Sequence, residues 1–220
     1  MKKVVFFDLD GTLLNTLPDI ANSMNRALNK IGLKSHPVEA YKLFTGNGSK
    51  VLAEKALGGN TEHFDELYNL YREDYAQNSR IYTKPYNGII EMLDELKKAG
   101  CILIVYTNKD NSDAQDVISY YFKDKYFDKI QGRVDGFPPK PDPALAKNIL
   151  KTMGLEEGVE LYYLGDTKTD MQCARNIGAV SIAVTWGFQD KDMLITENPN
   201  FFVDTPNEAV NIILKGANNA

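Results

Sequence analysis

The chain has 220 residues, of which 43% are hydrophobic and 25% charged, ordinary usage for a globular protein of one or two domains. Lys plus Arg total 25 against 30 for Asp plus Glu, a formal net charge of -5. This balance excludes disorder, collagen and coiled coil as the main architecture, and it disfavours a generic nucleic-acid binder.

The N-terminal apolar run stops at Asp8 and Asp10, too early for a signal peptide. No segment reaches the roughly 20 apolar residues of a membrane span. Cys101 and Cys173 cannot build a disulfide framework and read as buried or half-buried free thiols. A cytoplasmic location is therefore expected. His36 and His63 are the only histidines, so a His-rich metal centre is not expected.

In chain order, an apolar run at residues 4–7 reads as the first strand. From about 16 to 83 the pattern is helical without a strand, at 18–31, 37–44, 49–57 and 61–77. Strand runs at 102–106, 161–164, 180–184 and 201–203 then alternate with helical patterns at 88–99, 111–121, 143–153, 168–177 and 207–214. Most strand runs lack polar alternation, so both faces are covered, as in a parallel sheet. The expected fold class is α/β: a Rossmann-like, mainly parallel sheet with helices on both faces. Pro143 is placed in the first turn of its helix, and Gly100, Gly154 and Gly178 just past the ends of theirs.

The helical stretch after the first strand is too long for a crossover. It reads as an α-helical cap at 16–83, inserted into an α/β core made of 1–15 and 84–220. Tyr68, Tyr71 and Tyr75 could pack inside this cap or form an interface; their spacing favours packing.

Four signals carry chemistry. Asp8-Leu9-Asp10-Gly11-Thr12-Leu13 follows the first strand directly, and open α/β sheets bind ligands at strand C-terminal ends. An EF-hand loop is excluded, because its glycine belongs at position six. Gly165-Asp166-Thr167-Lys168-Thr169-Asp170 follows the strand at 161–164 in the same way. If the two strands are neighbours, Asp8, Asp10, Asp166 and Asp170 converge. Such carboxylates repel, and an all-oxygen set points to Mg²⁺ rather than zinc. Thr107-Asn108 ends a third strand and can donate hydrogen bonds to a phosphoryl oxygen. Lys140, in Pro138-Pro139-Lys140-Pro141-Asp142-Pro143, is a cation on a restricted backbone. Together the parts describe Mg²⁺-assisted phosphoryl transfer.

These motifs, in this order along the whole chain, resemble the haloacid dehalogenase superfamily of aspartyl-phosphate phosphatases. Asp8-x-Asp10-Gly11-Thr12 matches its first motif, Thr107 its second, Lys140 its third and Gly165-Asp166-x-x-x-Asp170 its fourth. The helical insertion matches the family's first type of cap. The resemblance implies that Asp8 is the nucleophile and Asp10 the general acid, then base. It implies Mg²⁺ held by Asp8, the Asp10 backbone carbonyl and Asp166, with Asp170 close by or bound through water. Thr107, Asn108 and Lys140 would hold the phosphoryl group. Dehalogenases of the superfamily lack the second acid, so Asp10 argues for phosphate chemistry. The hinge Leu14-Asn15-Thr16 departs from the Asp-Ser often found in relatives.

The cap loop Phe44-Thr45-Gly46-Asn47-Gly48-Ser49-Lys50 lacks the Walker spacing. It could be a flexible turn, or a set of backbone N–H groups facing an anion. It and Trp186-Gly187-Phe188 resemble phosphoglycolate phosphatases. The expected substrate is a small phosphorylated metabolite such as 2-phosphoglycolate, with its carboxylate near Gly46, Asn47, Gly48 and Lys50. A β-phosphoglucomutase-type phosphotransferase, a pyrophosphatase and a nucleotide phosphatase are the enzymatic alternatives. A binding protein without turnover is the alternative from another class, opposed by the intact Asp8 and Asp10. No nucleic acid or membrane partner is expected, and the protein is expected to be a monomer or homodimer.

Overall fold

The computed structural model describes residues 1–216. The elements in chain order are β1 (Lys2–Phe7), β2 (Leu14–Asn15), α1 (Leu17–Lys30), α2 (Tyr41–Phe44), α3 (Ser49–Ala56), α4 (Phe64–Asn78), β3 (Lys84–Pro85), α5 (Ile89–Lys98), β4 (Ile102–Asp110), α6 (Asn111–Phe122), β5 (Lys129–Arg133), α7 (Ala144–Thr152), β6 (Val159–Gly165), α8 (Lys168–Asn176), β7 (Val180–Val184), α9 (Lys191–Ile195), β8 (Phe201–Val203) and α10 (Pro206–Lys215). Six strands form one parallel sheet in the order β5-β4-β1-β6-β7-β8. The expected α/β class, with helices on both faces, is what the chain adopts.

Strand β1 shows why. Val4, Val5, Phe6 and Phe7 are all fully buried, which requires cover on both faces. Val5 and Phe7 pack with residues of α5, α6 and α10. Val4 and Phe6 pack with residues of α7 and α8. Both cysteines are buried and free.

The five apolar runs all became strands. β5 was not anticipated: its sequence Lys-Ile-Gln-Gly-Arg has one fully buried position and lies on the sheet edge, where no apolar stripe is required. Helix α9 has five residues, too few to show a period. Pro143 is the residue before α7 rather than inside its first turn.

No strand occurs between 16 and 83, where α1 to α4 pack around their own apolar cluster. Tyr71 and Tyr75 are buried in it and Tyr68 packs against it. The chain enters and leaves this block through a two-stranded antiparallel ribbon, Leu14 opposite Pro85 and Asn15 opposite Lys84. The buried Asp19 carboxylate fastens the exit, accepting hydrogen bonds from the Tyr82 N–H (3.0 and 2.9 Å) and the Thr83 N–H (2.8 Å). No helix among the described residues is long and apolar enough to cross a membrane.

Candidate active site

The acid pairs sit where two neighbouring strands end. β1 and β6 pair in parallel with Phe7 opposite Leu164, and the Asp8 N–H donates to the Leu164 carbonyl at 2.9 Å. Asp8, Asp166 and Asp170 are 5%, 0% and 0% exposed, and each offers an oxygen within 4.8 Å of the others. Glycines make that approach possible. A Cβ on Gly187 would lie 2.1 Å from the Asp166 Cβ, and one on Gly11 would lie 2.2 Å from its Oδ2. Gly11 also has a φ of +86°, a conformation that glycine adopts freely.

Fixed donors hold Asp166: the Thr12 hydroxyl donates to Oδ1 at 2.9 Å and the Phe188 N–H to Oδ2 at 2.8 Å. Burial, then the charges of Asp170 and Asp8, push the Asp166 carboxyl well above its ordinary range. Burial and Asp170 likewise push Asp8 up to about 6, against the opposing pull of Lys140. Three buried carboxylates within reach of one another, two of them (Asp8 and Asp166) with raised proton affinity and one bearing an oxygen without a well-directed hydrogen bond (Asp8 Oδ1), fit a small hard divalent cation.

Lys140 supplies a cation inside the protein. Its Nζ lies 3.0 Å from Asp8 Oδ1 and donates to Asp170 Oδ1 at 2.7 Å, the Tyr163 hydroxyl at 2.9 Å and the Tyr106 carbonyl at 3.1 Å. Burial works against its charge, but Asp170 and Asp8 more than compensate and its pKa is raised. The other Asp170 oxygen accepts from Thr167 N–H (3.0 Å) and Thr167 hydroxyl (2.6 Å), within the capping box that starts α8. Asp170 therefore orients Lys140 as well as belonging to the acid cluster.

Asp10 points elsewhere. Its carboxylate accepts hydrogen bonds from Lys109 Nζ at 3.1 and 3.2 Å and from the Thr16 hydroxyl at 2.7 Å. Lys109 Nζ also donates to the Tyr75 hydroxyl of α4 at 2.7 Å. Asp10 is thus absent from the cluster of three carboxylates that share one space.

The helical block closes over these groups. A cavity of about 50 Å³ remains, lined by Asp8, Asp10, Thr107, Lys109, Gly48 and Phe188 among others. The Asn108 amide donates to the carbonyls of Lys140 (3.2 Å) and Gly46 (3.1 Å), and its oxygen accepts from the Lys140 N–H at 2.8 Å. This amide joins the lysine loop to the block's loop. On the outer side, Asp110 accepts from the Ser49 hydroxyl (2.6 Å), Arg72 (3.1 Å) and Arg133 (2.6 Å), while Arg72 also grips Asp113 with both terminal nitrogens.

A family model described as haloacid dehalogenase-like hydrolase matches residues 5–184. The chain belongs to that family. Among similar hydrolases is a phosphoglycolate phosphatase of Vibrio parahaemolyticus, 29% identical across 98% of this chain and 97% of its own. Another, from Vibrio vulnificus, is 30% identical over the same shares. A crystal structure of a provisionally named phosphoglycolate phosphatase from Lactobacillus delbrueckii subsp. bulgaricus superposes with a TM-score of 0.90 at 28% identity, covering 97% of this chain and 99% of that one.

Within this hydrolase the sequence motifs are brought together unequally. Asp8, Asp166 and Asp170 cluster; Asp8, Asp10, Thr107 and Asn108 line the cavity with Gly46 and Gly48. Asn47 and Lys50 do not line it; Asn47 instead accepts from the Thr169 hydroxyl at 3.4 Å. The Asn108 side chain is committed to the two loops it joins. Sequence reasoning missed Thr16, Lys109, Tyr75 and Asp110. Lys109 and Asp110 directly follow Thr107-Asn108 on β4, and a run of polar residues at a strand end was the available signal.

Proposed function

We propose that the protein is a Mg²⁺-dependent phosphatase that hydrolyses a small phosphomonoester through an aspartyl-phosphate, with 2-phosphoglycolate as substrate. Asp8 and Asp10 line the same small cavity, and this carries the reading: a nucleophile and a proton-transfer group two residues apart face one reacting group. In this reading 1–15 and 84–220 are the catalytic core and 16–83 is the cap.

Asp8 attacks phosphorus and the leaving alkoxide takes a proton from Asp10. Asp10 then accepts a proton from the water that attacks the aspartyl-phosphate. Thr107 and the Lys140 ammonium face the charge of the transferring group. Mg²⁺, held by Asp8, Asp166 and Asp170 with the Asp10 backbone carbonyl, would supply positive charge to the phosphoryl oxygens.

The cavity favours a short substrate. About 50 Å³ is far below the several hundred cubic ångströms of pockets for drug-sized ligands. The loop of Gly46 and Gly48, which also lines the cavity, leads into α3, which has no side-chain cap. Its free backbone N–H groups suit a carboxylate. The names of the Vibrio relatives agree with that chemistry.

Phosphate release with Mg²⁺ should be measured for 2-phosphoglycolate, β-glucose 1-phosphate, pyrophosphate and a nucleoside monophosphate. The expected result is the highest kcat/KM for 2-phosphoglycolate. Preference for the sugar phosphate would replace the substrate assignment, and no release from any of them would remove the phosphatase reading.

A further inference from the structure

Lys109 is a buried cation to which the mechanism above gives no task. It lies on β4, two residues beyond Thr107, and lines the same cavity as Asp8 and Asp10. Its Nζ bridges both Asp10 oxygens, at 3.1 and 3.2 Å. The Thr16 hydroxyl touches Oδ1, so among the described residues Oδ2 takes its one side-chain hydrogen bond from Lys109. Nζ is fixed in turn by Tyr75, whose hydroxyl accepts at 2.7 Å and whose ring centroid lies 4.7 Å away. The carboxylate plane of Asp10 is therefore set by a core lysine, and that lysine by a tyrosine of the helical block.

We propose that Lys109 is a positioning residue for the water-attack half of the reaction, and that Tyr75 acts through it. This rests on the phosphatase reading. In that half the water oxygen bonds to phosphorus, and the bond from phosphorus to the Asp8 oxygen breaks with its electron pair returning to Asp8. The water proton goes to Asp10. A base must meet that proton along its lone pair, within hydrogen-bond reach. Asp10 has two free side-chain torsions of its own, and the ammonium spanning both oxygens removes the second. A simple counter-ion role would need contact with one oxygen and would favour neither half of the reaction.

The test uses acetyl phosphate, which is small and whose acetate leaves without needing a proton. The first half is then insensitive to Asp10, and kcat/KM reports that half alone. For Lys109→Met, kcat should fall at least about tenfold, since a positioned base contributes roughly 10²–10⁴. KM should fall with it, leaving kcat/KM within about threefold of wild type. Acid-quenched Lys109→Met should hold more phosphate covalently on the protein at steady state than wild type does. Tyr75→Phe, which removes only a hydroxyl, should shift the same quantities in the same direction by a smaller factor. It decides the matter if Lys109→Met does not fold. Equal losses in kcat and kcat/KM without accumulated phosphoprotein would reduce Lys109 to a structural ion pair and overturn the inference. Unchanged kcat in both variants would overturn it too. Wild-type protein that releases no phosphate from acetyl phosphate or 2-phosphoglycolate would remove the phosphatase reading itself, and this inference with it.

Discussion

At Asp8, the proposed function and folding pull in opposite directions. Burial and Asp170 raise its pKa from an ordinary 3.8 to about 6. The folded state therefore binds this proton more tightly than the unfolded chain. Its contribution to stability is present at low pH and is lost as pH rises from about 4 to about 6. Asp8→Asn should abolish phosphate release. The same change should stabilise the metal-free protein at pH 7.5 by about 1–3 kcal/mol, with little effect at pH 4. Urea unfolding of both proteins at the two pH values checks this; equal differences at both would refute the buried-charge account. Gly187 makes a second residue-scale case. Gly187→Ala sets a Cβ 2.1 Å from the Asp166 Cβ, so Asp166 must move. Mg²⁺ affinity, read by titration, should weaken by about 10–100-fold, as for lost support around a ligand.

Among the elements, the loop before α3 and helix α4 do the docking. Gly48 has a φ of +90°, and a Cβ there would lie 3.2 Å from the Asn108 carbonyl and 3.4 Å from Arg133. Gly48→Ala should lower kcat/KM on 2-phosphoglycolate about tenfold, a cost of roughly 1–2 kcal/mol from strain and contact. Arg72→Ala should act mainly on KM, because it loosens α4 from Asp110 and Asp113 without touching the acids at the strand ends. These ion pairs are partly exposed, so the expected loss of stability is only about 1 kcal/mol. The elements also show what a sequence makes legible. Asp8, Asp166 and Lys140 could be found because each stands in a short motif beside a strong apolar run or between prolines. Thr16 and Tyr75 could not, and Lys109 was marked only by the polar run that ends β4. Thr16 and Lys109 meet on Asp10, and Tyr75 reaches Lys109 only because of how α4 settles on the sheet, a distance that no local spacing encodes. β5 escaped for a related reason: an edge strand is specified by its neighbour's free hydrogen bonds rather than by its own side chains.

For the whole molecule, a cation held by the acid cluster, as proposed, would make stability depend on the metal. In the proposed reading Mg²⁺ would bind the ionised carboxylates of the folded state, so protons would compete with it. At pH 7.5, Mg²⁺ at a hundred times its Kd should add about 2.7 kcal/mol, a rise of several degrees in Tm for a chain of this size. The rise should shrink at pH 5 and vanish on chelation; an equal rise at both pH values would argue against binding at Asp8 and Asp166. The α/β core was readable because its buried strands advertise themselves as apolar runs in a regular order with helices, and the one break in that order marked the stretch that forms α1 to α4.

The ribbon of β2 and β3 gives the insertion a further property. Because the chain leaves and rejoins the core at paired residues, Asn15 and Lys84, the sheet meets only two closely spaced ends, whatever lies between them. Closure entropy grows by merely about 0.6 kcal/mol for each doubling of the intervening length. The block can therefore be lengthened, trimmed or exchanged during evolution at little cost to the strands that carry the acids. Selection can thus alter what the block encloses while leaving the strand-end carboxylates where they are.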